Sequence, residues 1–387
     1  MLPKTWTPVT IPEQKSLEWK IVTKDVPAHY DARFFDGKAG DYVKRDEPKV
    51  IRFWQATDPA VAPLDAEQII RDEVAARRLE PLHGAGCPGG MVRVRGRMKD
   101  WEIVDILQDT SCRVGPDGSW NPSKLCYIYD LRNFARNYEF LRDEKRVGKN
   151  PAPSDQVDWV GTSAARIARI TTRALRAREY GVSGFAAQLH GKPLLEKDLD
   201  YCMDRYEYPN VKGAYPVIMV NWFDARSICE GDGKRLCSED EWTFGCEGEE
   251  ASPYPTGDIK DPTACNFDRV RKANLDEATV MQFDTPAARK MIAALFGAVP
   301  SGAMERCTSS FGVHDLTGNV DEWTHWSAPG RPRDMSANAG KGLLSTMKGG
   351  FWGPVRNRCQ PSTSSHGPDF LFYQQGFRCC SNAGHGQ

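Results

Sequence analysis

The sequence predicts a mixed helix-and-strand protein with little regular secondary structure, held together by disulfide bonds. Three observations carry this. Residues 200–387 are rich in Trp, Gly and Cys and read as short elements joined by long loops, without internal repeats. A domain of that kind buries aromatic side chains under irregular backbone and needs added staples, of which disulfides and bound calcium are the usual ones. The 387 residues include twelve cysteines, and no CxxC pair suggests a zinc ribbon or thioredoxin motif. Hydrophobic residues make up 40% and charged residues 27%, which is ordinary globular usage and excludes wholesale disorder.

The 51 basic and 52 acidic residues nearly cancel. The chain as a whole therefore has no attraction for nucleic acid or an anionic membrane, and no specific nucleic-acid partner is expected. No apolar run approaches the ~18 residues of a transmembrane segment. The longest, Met291 to Val299, contains Gly297. The opening MLPKTWTPVTIPEQK lacks the apolar core of an export signal. Two readings follow: a cytosolic chain, or a mature form whose signal has been removed. Twelve thiols would be a liability in a reducing cytosol, so an oxidised framework in an extracytoplasmic compartment, periplasmic or secreted, is expected. Scattered buried thiols are the alternative.

Residues 1–84 read as an irregular N-terminal arm, rich in Pro and charge, that ends in one helix. Asp65 is its N-cap with Gln68 three residues on, Ile70, Val74 and Leu79 follow at near-helical spacing, and Pro81 and Gly84 stop it. Such an arm could wrap the main domain, residues 85–387, which opens at Cys87-Pro88-Gly89-Gly90. Met91 to Val94 alternates like a half-buried strand. A helical insertion follows at about 97–199. In it, Leu131, Phe134, Ala135, Tyr138 and Leu141 make one apolar stripe. A second helical pattern, Thr162 to Tyr180, lines up Arg166, Arg169, Arg173 and Arg176 on one face. Four aligned arginines could grip phosphates or an acidic partner; the plainer reading is a solvated helix face.

Beyond the insertion, Tyr201 to Asn210 reads as a strand leading into a turn, and Pro216 to Trp222 as a short extended piece. Phe223 to Glu230 reads as a helix broken by Gly231-Asp232-Gly233, and Ser238 with Glu241 makes a capping box for another. Gly312 to Trp323, Met347 to Trp352 and Gly376 to Cys380 complete the series. In this order and spacing the segments P-V-x-x-V-x-W, G-K-R-L, G-x-x-D-x-x-G-N-V-x-E-W, K-G-G and G-F-R-C resemble one family closely. It is the formylglycine-generating enzyme or sulfatase-modifying factor family, with its ergothioneine-synthase and pyoverdine-maturation branches. The resemblance covers residues 200–380. It implies an α+β fold, formylglycine-generating-enzyme-like and related to C-type lectins.

In the catalytic branch a copper-binding cysteine pair follows K-G-G, upstream of a structural cysteine that matches Cys359 here. The place of the second catalytic thiol, five residues before it, holds Pro354, and no cysteine lies between Cys307 and Cys359. Proline has no thiolate, so Cu(I) lacks two soft ligands there. The resemblance thus implies a divergent member without formylglycine generation. The ergothioneine-synthase branch uses iron held by histidines at helical spacing, whereas the seven histidines here are scattered. An iron site built from His325, His366 and a third residue is conceivable, since both fall in loops that line the family groove. Trp326 and Trp352 are further groove candidates, and surface or hydrogen-bonded histidines are the plainer reading.

Calcium is the better-supported ion. By resemblance, Asp315, Gly318, Val320 and Glu322 form one calcium loop, and Asn266 and Phe267 begin a second. Carboxylates and backbone carbonyls suit this hard cation. Alternatively, Asp315 and Glu322 cap the loop and pair with a nearby Arg or Lys. The family register also implies disulfides Cys229–Cys379 and Cys246–Cys359. Nearness in sequence suggests Cys112–Cys126 and Cys265–Cys307, which leaves Cys87, Cys202, Cys237 and Cys380 for the last two. In a strand, adjacent Cys379 and Cys380 point to opposite faces and take different partners.

Two functions stand. One is a calcium- and disulfide-stabilised binding or structural module whose groove, arm or insertion holds a protein or small-molecule partner. The other is a metal-dependent oxidoreductase of the non-heme iron type, acting in a biosynthetic or maturation pathway. No GxSxG, P-loop, HExxH or Rossmann fingerprint adds a third.

Overall fold

The computed structural model describes residues 17–58, 64–65, 86–114, 126, 128–146, 181–269, 273–326, 344–355, 357–364 and 366–384. The helix expected after Asp65 and the arginine-lined pattern at 162–180 lie outside these residues.

Over its described residues the N-terminal zone is not irregular. It carries strands β1 (Glu18–Val26) and β2 (Lys49–Thr57), paired antiparallel from Glu18↔Thr57 to Val26↔Lys49. Lys, Glu, Asp and Arg on the outward positions give this hairpin its charged composition. Ile51 and Phe53 point inward and are buried. Alternation, which the composition masks, is what makes the strand.

Strand β3 (Met91–Met98) follows as expected. Helix α1 (Trp101–Ser111), not foreseen, starts at Asp100, whose side chain accepts from the Glu102 and Ile103 N–H groups. Helix α2 (Phe134–Arg146) buries Phe134, Tyr138 and Leu141 of the expected stripe. These pack with Ile103, Leu107, Phe185 and Leu189 into a core belonging to the insertion itself. Strand β4 (Lys197–Asp204) then returns alongside β3, from Met98↔Lys197 to Met91↔Asp204. The insertion therefore leaves and re-enters at two neighbouring strand ends. Its length costs little, because loop closure grows only slowly with the number of residues.

Strand β5 (Val217–Ile218) pairs with β2, Val217 opposite Gln55, and so welds the N-terminal hairpin to the main domain. Helix α3 (Trp222–Gly231) is capped by Asn221. After β6 (Arg235–Leu236), helix α4 (Glu239–Glu247) begins at the expected Ser238–Glu241 capping box. The last strands are β7 (Asp321–His325), β8 (Ser345–Lys348), β9 (Ser362–Thr363), β10 (Gln375–Phe377) and β11 (Cys379–Asn382). They build two four-stranded sheets, β6-β11-β4-β3 and β9-β8-β7-β10. One core cluster unites Val26, Ile51 and Phe53 of the N-terminal hairpin with Trp222, Phe223, Trp323 and Phe377.

All twelve cysteines are paired. The bridges are Cys229–Cys379, Cys246–Cys359, Cys112–Cys126 and Cys265–Cys307, as expected, with Cys87–Cys202 and Cys237–Cys380 completing the set. Neighbouring Cys379 and Cys380 do take different partners. They tie the C-terminal strand both to α3 and to the residue after β6.

Candidate functional site

The loop from Gly312 into β7 is the centre of the domain. Asp315, Gly318 and Asn319 have φ of 61°, 85° and 55°, so the chain turns sharply through left-handed conformations. A Cβ on Gly318 would lie 2.3 Å from the Asn266 carbonyl oxygen. Only glycine lets the loop rest there. The Asn319 N–H donates to the Asn266 carbonyl at 2.9 Å, and Asn266 Nδ2 donates to Asn319 Oδ1 at 2.9 Å. The two segments expected to hold calcium are thus in direct contact.

Of the two roles read for Glu322, the structure shows the pairing with an arginine. Arg378 donates from Nε and Nη2 to the two carboxylate oxygens, each at 2.7 Å, and Trp242 Nε1 donates at 2.8 Å. Asp315 accepts the Gly302 N–H at 2.6 Å. Between them lies Glu207, which the sequence reading passed over. It accepts from Asn319 Nδ2 at 2.6 Å, the Val320 N–H at 3.1 Å and Ser301 Oγ at 3.1 Å. Its signal was an ionisable residue set between Tyr206 and Tyr208, directly after a buried strand.

Burial, with the charges of Asp315 and Glu322 added, pushes the Glu207 carboxyl well above the usual range. Burial likewise pushes Asp315 up to about 7, against the Gly302 N–H and Arg378. Three buried carboxylates here share one guanidinium. Among the described residues, no three His, Cys, Asp or Glu side chains converge as a metal-binding group. An ion at this core would have to draw on carbonyl oxygens as well.

The groove candidates divide between two clusters. His325 stacks on Trp222 at 5.6 Å, and Trp326 packs against the same cluster. Trp352 belongs to the other, among Phe296, Phe351 and Tyr373. A Cβ on Gly297 would touch the Trp352 ring at 2.6 Å, so that glycine makes room for it. His366 stacks on Phe370 at 4.0 Å, and Phe370 packs against both clusters. His325 and His366 have no third ligand in a metal-binding group among the described residues.

The segment after Lys348-Gly349-Gly350 is a compact turn. Asn357 Nδ2 donates to the Phe351 carbonyl at 2.8 Å, and the Trp352 N–H donates to the Asn319 carbonyl at 3.2 Å. Pro354 stands exposed on this turn, and Cys359 at its end is bonded to Cys246. No thiolate is presented.

Residues 196–383 match the family described as sulfatase-modifying factor enzyme 1-like domain. These residues, a little under half of the chain, are similar to that family. Over 172 residues the chain is 31% identical to the inactive C-alpha-formylglycine-generating enzyme 2 of Bos taurus, covering 44% of this chain and 51% of that protein. Over 179 residues it is 26% identical to the formylglycine-generating enzyme of Bos taurus, covering 43% of this chain and 44% of that protein. The solved structure of PvdO from Pseudomonas aeruginosa aligns over 49% of this chain and 84% of that one, with 19% identity and a TM-score of 0.34. The chain spans about half the length of the curated relatives it matches. The sulfatase-modifying factor-like domain begins at β4 and ends in the C-terminal strand. The N-terminal hairpin and the insertion are therefore additions to it.

Proposed function

We propose that this protein is a binding or structural module built on the sulfatase-modifying factor-like domain, and that it does not generate formylglycine. One observation carries the reading: the turn between Lys348 and Cys359 presents Pro354, while Cys359 is bonded to Cys246. Two thiolates are what the family's copper chemistry needs, and neither is available there. The similarity to a relative named inactive supports the same reading. Six disulfides suit an oxidising, extracytoplasmic compartment. The N-terminal hairpin and the insertion add surface for a partner.

Calcium enters in a narrower form. Glu322 is spent on Arg378, so the ion would rest on Asp315 and on the carbonyls of Gly318 and Val320, with Glu207 adding negative charge. The support is the excess of buried carboxylates over cations at this core, which a divalent ion would offset. The second reading, a non-heme iron oxidoreductase, draws on His325 and His366, whose rings stack on Trp222 and Phe370 respectively.

Two measurements on the purified chain decide. A sulfatase-type peptide carrying the substrate cysteine, incubated with copper, should yield no aldehyde by mass spectrometry. Metal analysis should find calcium near one equivalent and neither iron nor copper. Aldehyde above background, or near-stoichiometric iron, overturns the module reading. If chelation leaves the melting temperature unchanged, and Asp315→Ala behaves as the wild type with and without added calcium, the ion is not part of it.

A further inference from the structure

The six disulfides are not equally sheltered. Eleven of the twelve cysteines are 4% exposed or less. Cys87 alone is half-buried, on a turn where Gly86, Pro88 and Gly89 are exposed. Its partner Cys202 is 0% exposed. Cys202 sits inside a sheet, with Arg93 of β3 opposite it on one side and Ser381 of β11 opposite it on the other. One end of this bridge therefore faces solvent and the other is closed off by neighbouring strands. Each of the remaining five bridges is buried at both ends.

Thiol–disulfide exchange needs a thiolate to reach one of the two sulfurs, so access decides which bridge reacts and at which end. At the five buried bridges the surrounding core must open first, and such openings are rare because they disrupt many contacts at once. At Cys87 no such opening is needed. The structure around Cys87 also holds without the bridge. Strands β3 and β4 pair along the full length of β3, from Met91↔Asp204 to Met98↔Lys197. The turn itself is pinned at both ends. The Gly86 carbonyl accepts the Gly384 N–H at 2.8 Å, and the Gly90 carbonyl accepts from Asn210 Nδ2 at 2.9 Å.

We propose that Cys87 is a modification site, where a low-molecular-weight thiol enters by exchange while the fold persists. The incoming thiolate forms a bond to Cys87 Sγ and the bond from Cys87 Sγ to Cys202 Sγ breaks. The electron pair of that bond leaves on Cys202 Sγ, which takes up a proton. A second thiolate, attacking the sulfur of the bound small thiol, releases Cys87 as a thiolate and forms the small molecule's own disulfide. Two external thiols are then oxidised for one protein bridge reduced. Burial fixes the order of events: the mixed disulfide forms on Cys87 and the free thiol appears on Cys202. Exchange leaves the turn held to the sheet by its hydrogen bonds. The proposal stands apart from the module reading.

The test incubates the oxidised full chain with reduced glutathione, quenches samples in time with N-ethylmaleimide, and maps peptides under non-reducing conditions. The first product should carry glutathione on Cys87 and the alkylating label on Cys202, with the other five bridges intact. That bridge should open at least about tenfold faster than any other. Circular dichroism of this product should match that of the untreated chain. Its unfolding temperature should be lower, because a crosslink spanning 115 residues no longer restrains the unfolded chain. The double variant Cys87→Ala, Cys202→Ala should lose the fast phase and keep the slow reaction of the other ten cysteines. First reaction at any other bridge, glutathione found on Cys202, all six bridges opening together, or a fast phase surviving in the double variant overturns the proposal. If the double variant does not fold, the order of reaction in the wild type decides alone.

Discussion

Arg378 and Glu322 form a two-pronged ion pair with both side chains sealed from solvent, at 0% and 1% exposure. Arg378 also donates to the carbonyls of His314 and Asp204, so one guanidinium ties the central loop to β4 and to the end of β10. Breaking such a pair by removing one partner leaves a buried charge without compensation. Glu322→Gln or Arg378→Met should cost about 3–5 kcal/mol, measured by urea unfolding. Replacing both at once with apolar side chains should cost less than the sum, and strict additivity would show that the pair is not coupled.

Gly318 separates two effects that a glycine can serve. Gly318→Ala meets both the left-handed φ of 85° and the Asn266 oxygen at 2.3 Å. Gly233→Ala meets only a φ of 72°, with nothing within 4 Å of the added Cβ. The second should cost about 1–2 kcal/mol, and the first clearly more. Equal losses would mean that the loop does not rest on Asn266.

The disulfides should rank by the chain they close. Cys229–Cys379 spans 150 residues and Cys112–Cys126 spans 14. In the chain-entropy account the long bridge contributes about 5 kcal/mol and the short one about 3. Paired Cys→Ala variants compared by denaturant titration should reproduce that order. Finding most of the twelve cysteines as free thiols in the purified protein would overturn the pairing itself.

Acid should act through carboxylates held by arginines. Burial alone would raise the Asp41 carboxyl, but Arg226, bonded to both oxygens at 2.7 and 2.9 Å, holds it below its ordinary value. The folded state therefore binds that proton less readily than the unfolded chain does. The stabilisation is present above about pH 4 and is lost as the pH falls through the lowered value. Asp41→Asn should flatten the stability curve over this acidic limb and leave its shape near neutrality unchanged. A wild-type slope retained below pH 4 would assign the acid sensitivity elsewhere.

Residue type and spacing by themselves determined the domain. Gly312 to Trp323, the Ser238–Glu241 capping box and the adjacent Cys379 and Cys380 are local patterns whose physical requirements act within a few residues, so they can be read before folding. The apolar stripe of α2 was legible for the same reason. The N-terminal strands were not, because exposed charges such as Glu18, Lys20, Asp25 and Arg52 interrupt them, and disguise an alternation that matters only once β5 pairs with β2. Glu207 shows the other limit. Its neighbours in space, Asp315, Asn319 and Ser301, lie about a hundred residues away. Nothing local tells a buried carboxylate from an exposed one. The same holds for Glu322, a carboxylate that sequence offers equally to an ion or to an arginine. Only the arrival of Arg378 from the C-terminal strand decides between them, because a charge buried away from water takes whichever opposite charge the fold brings within reach.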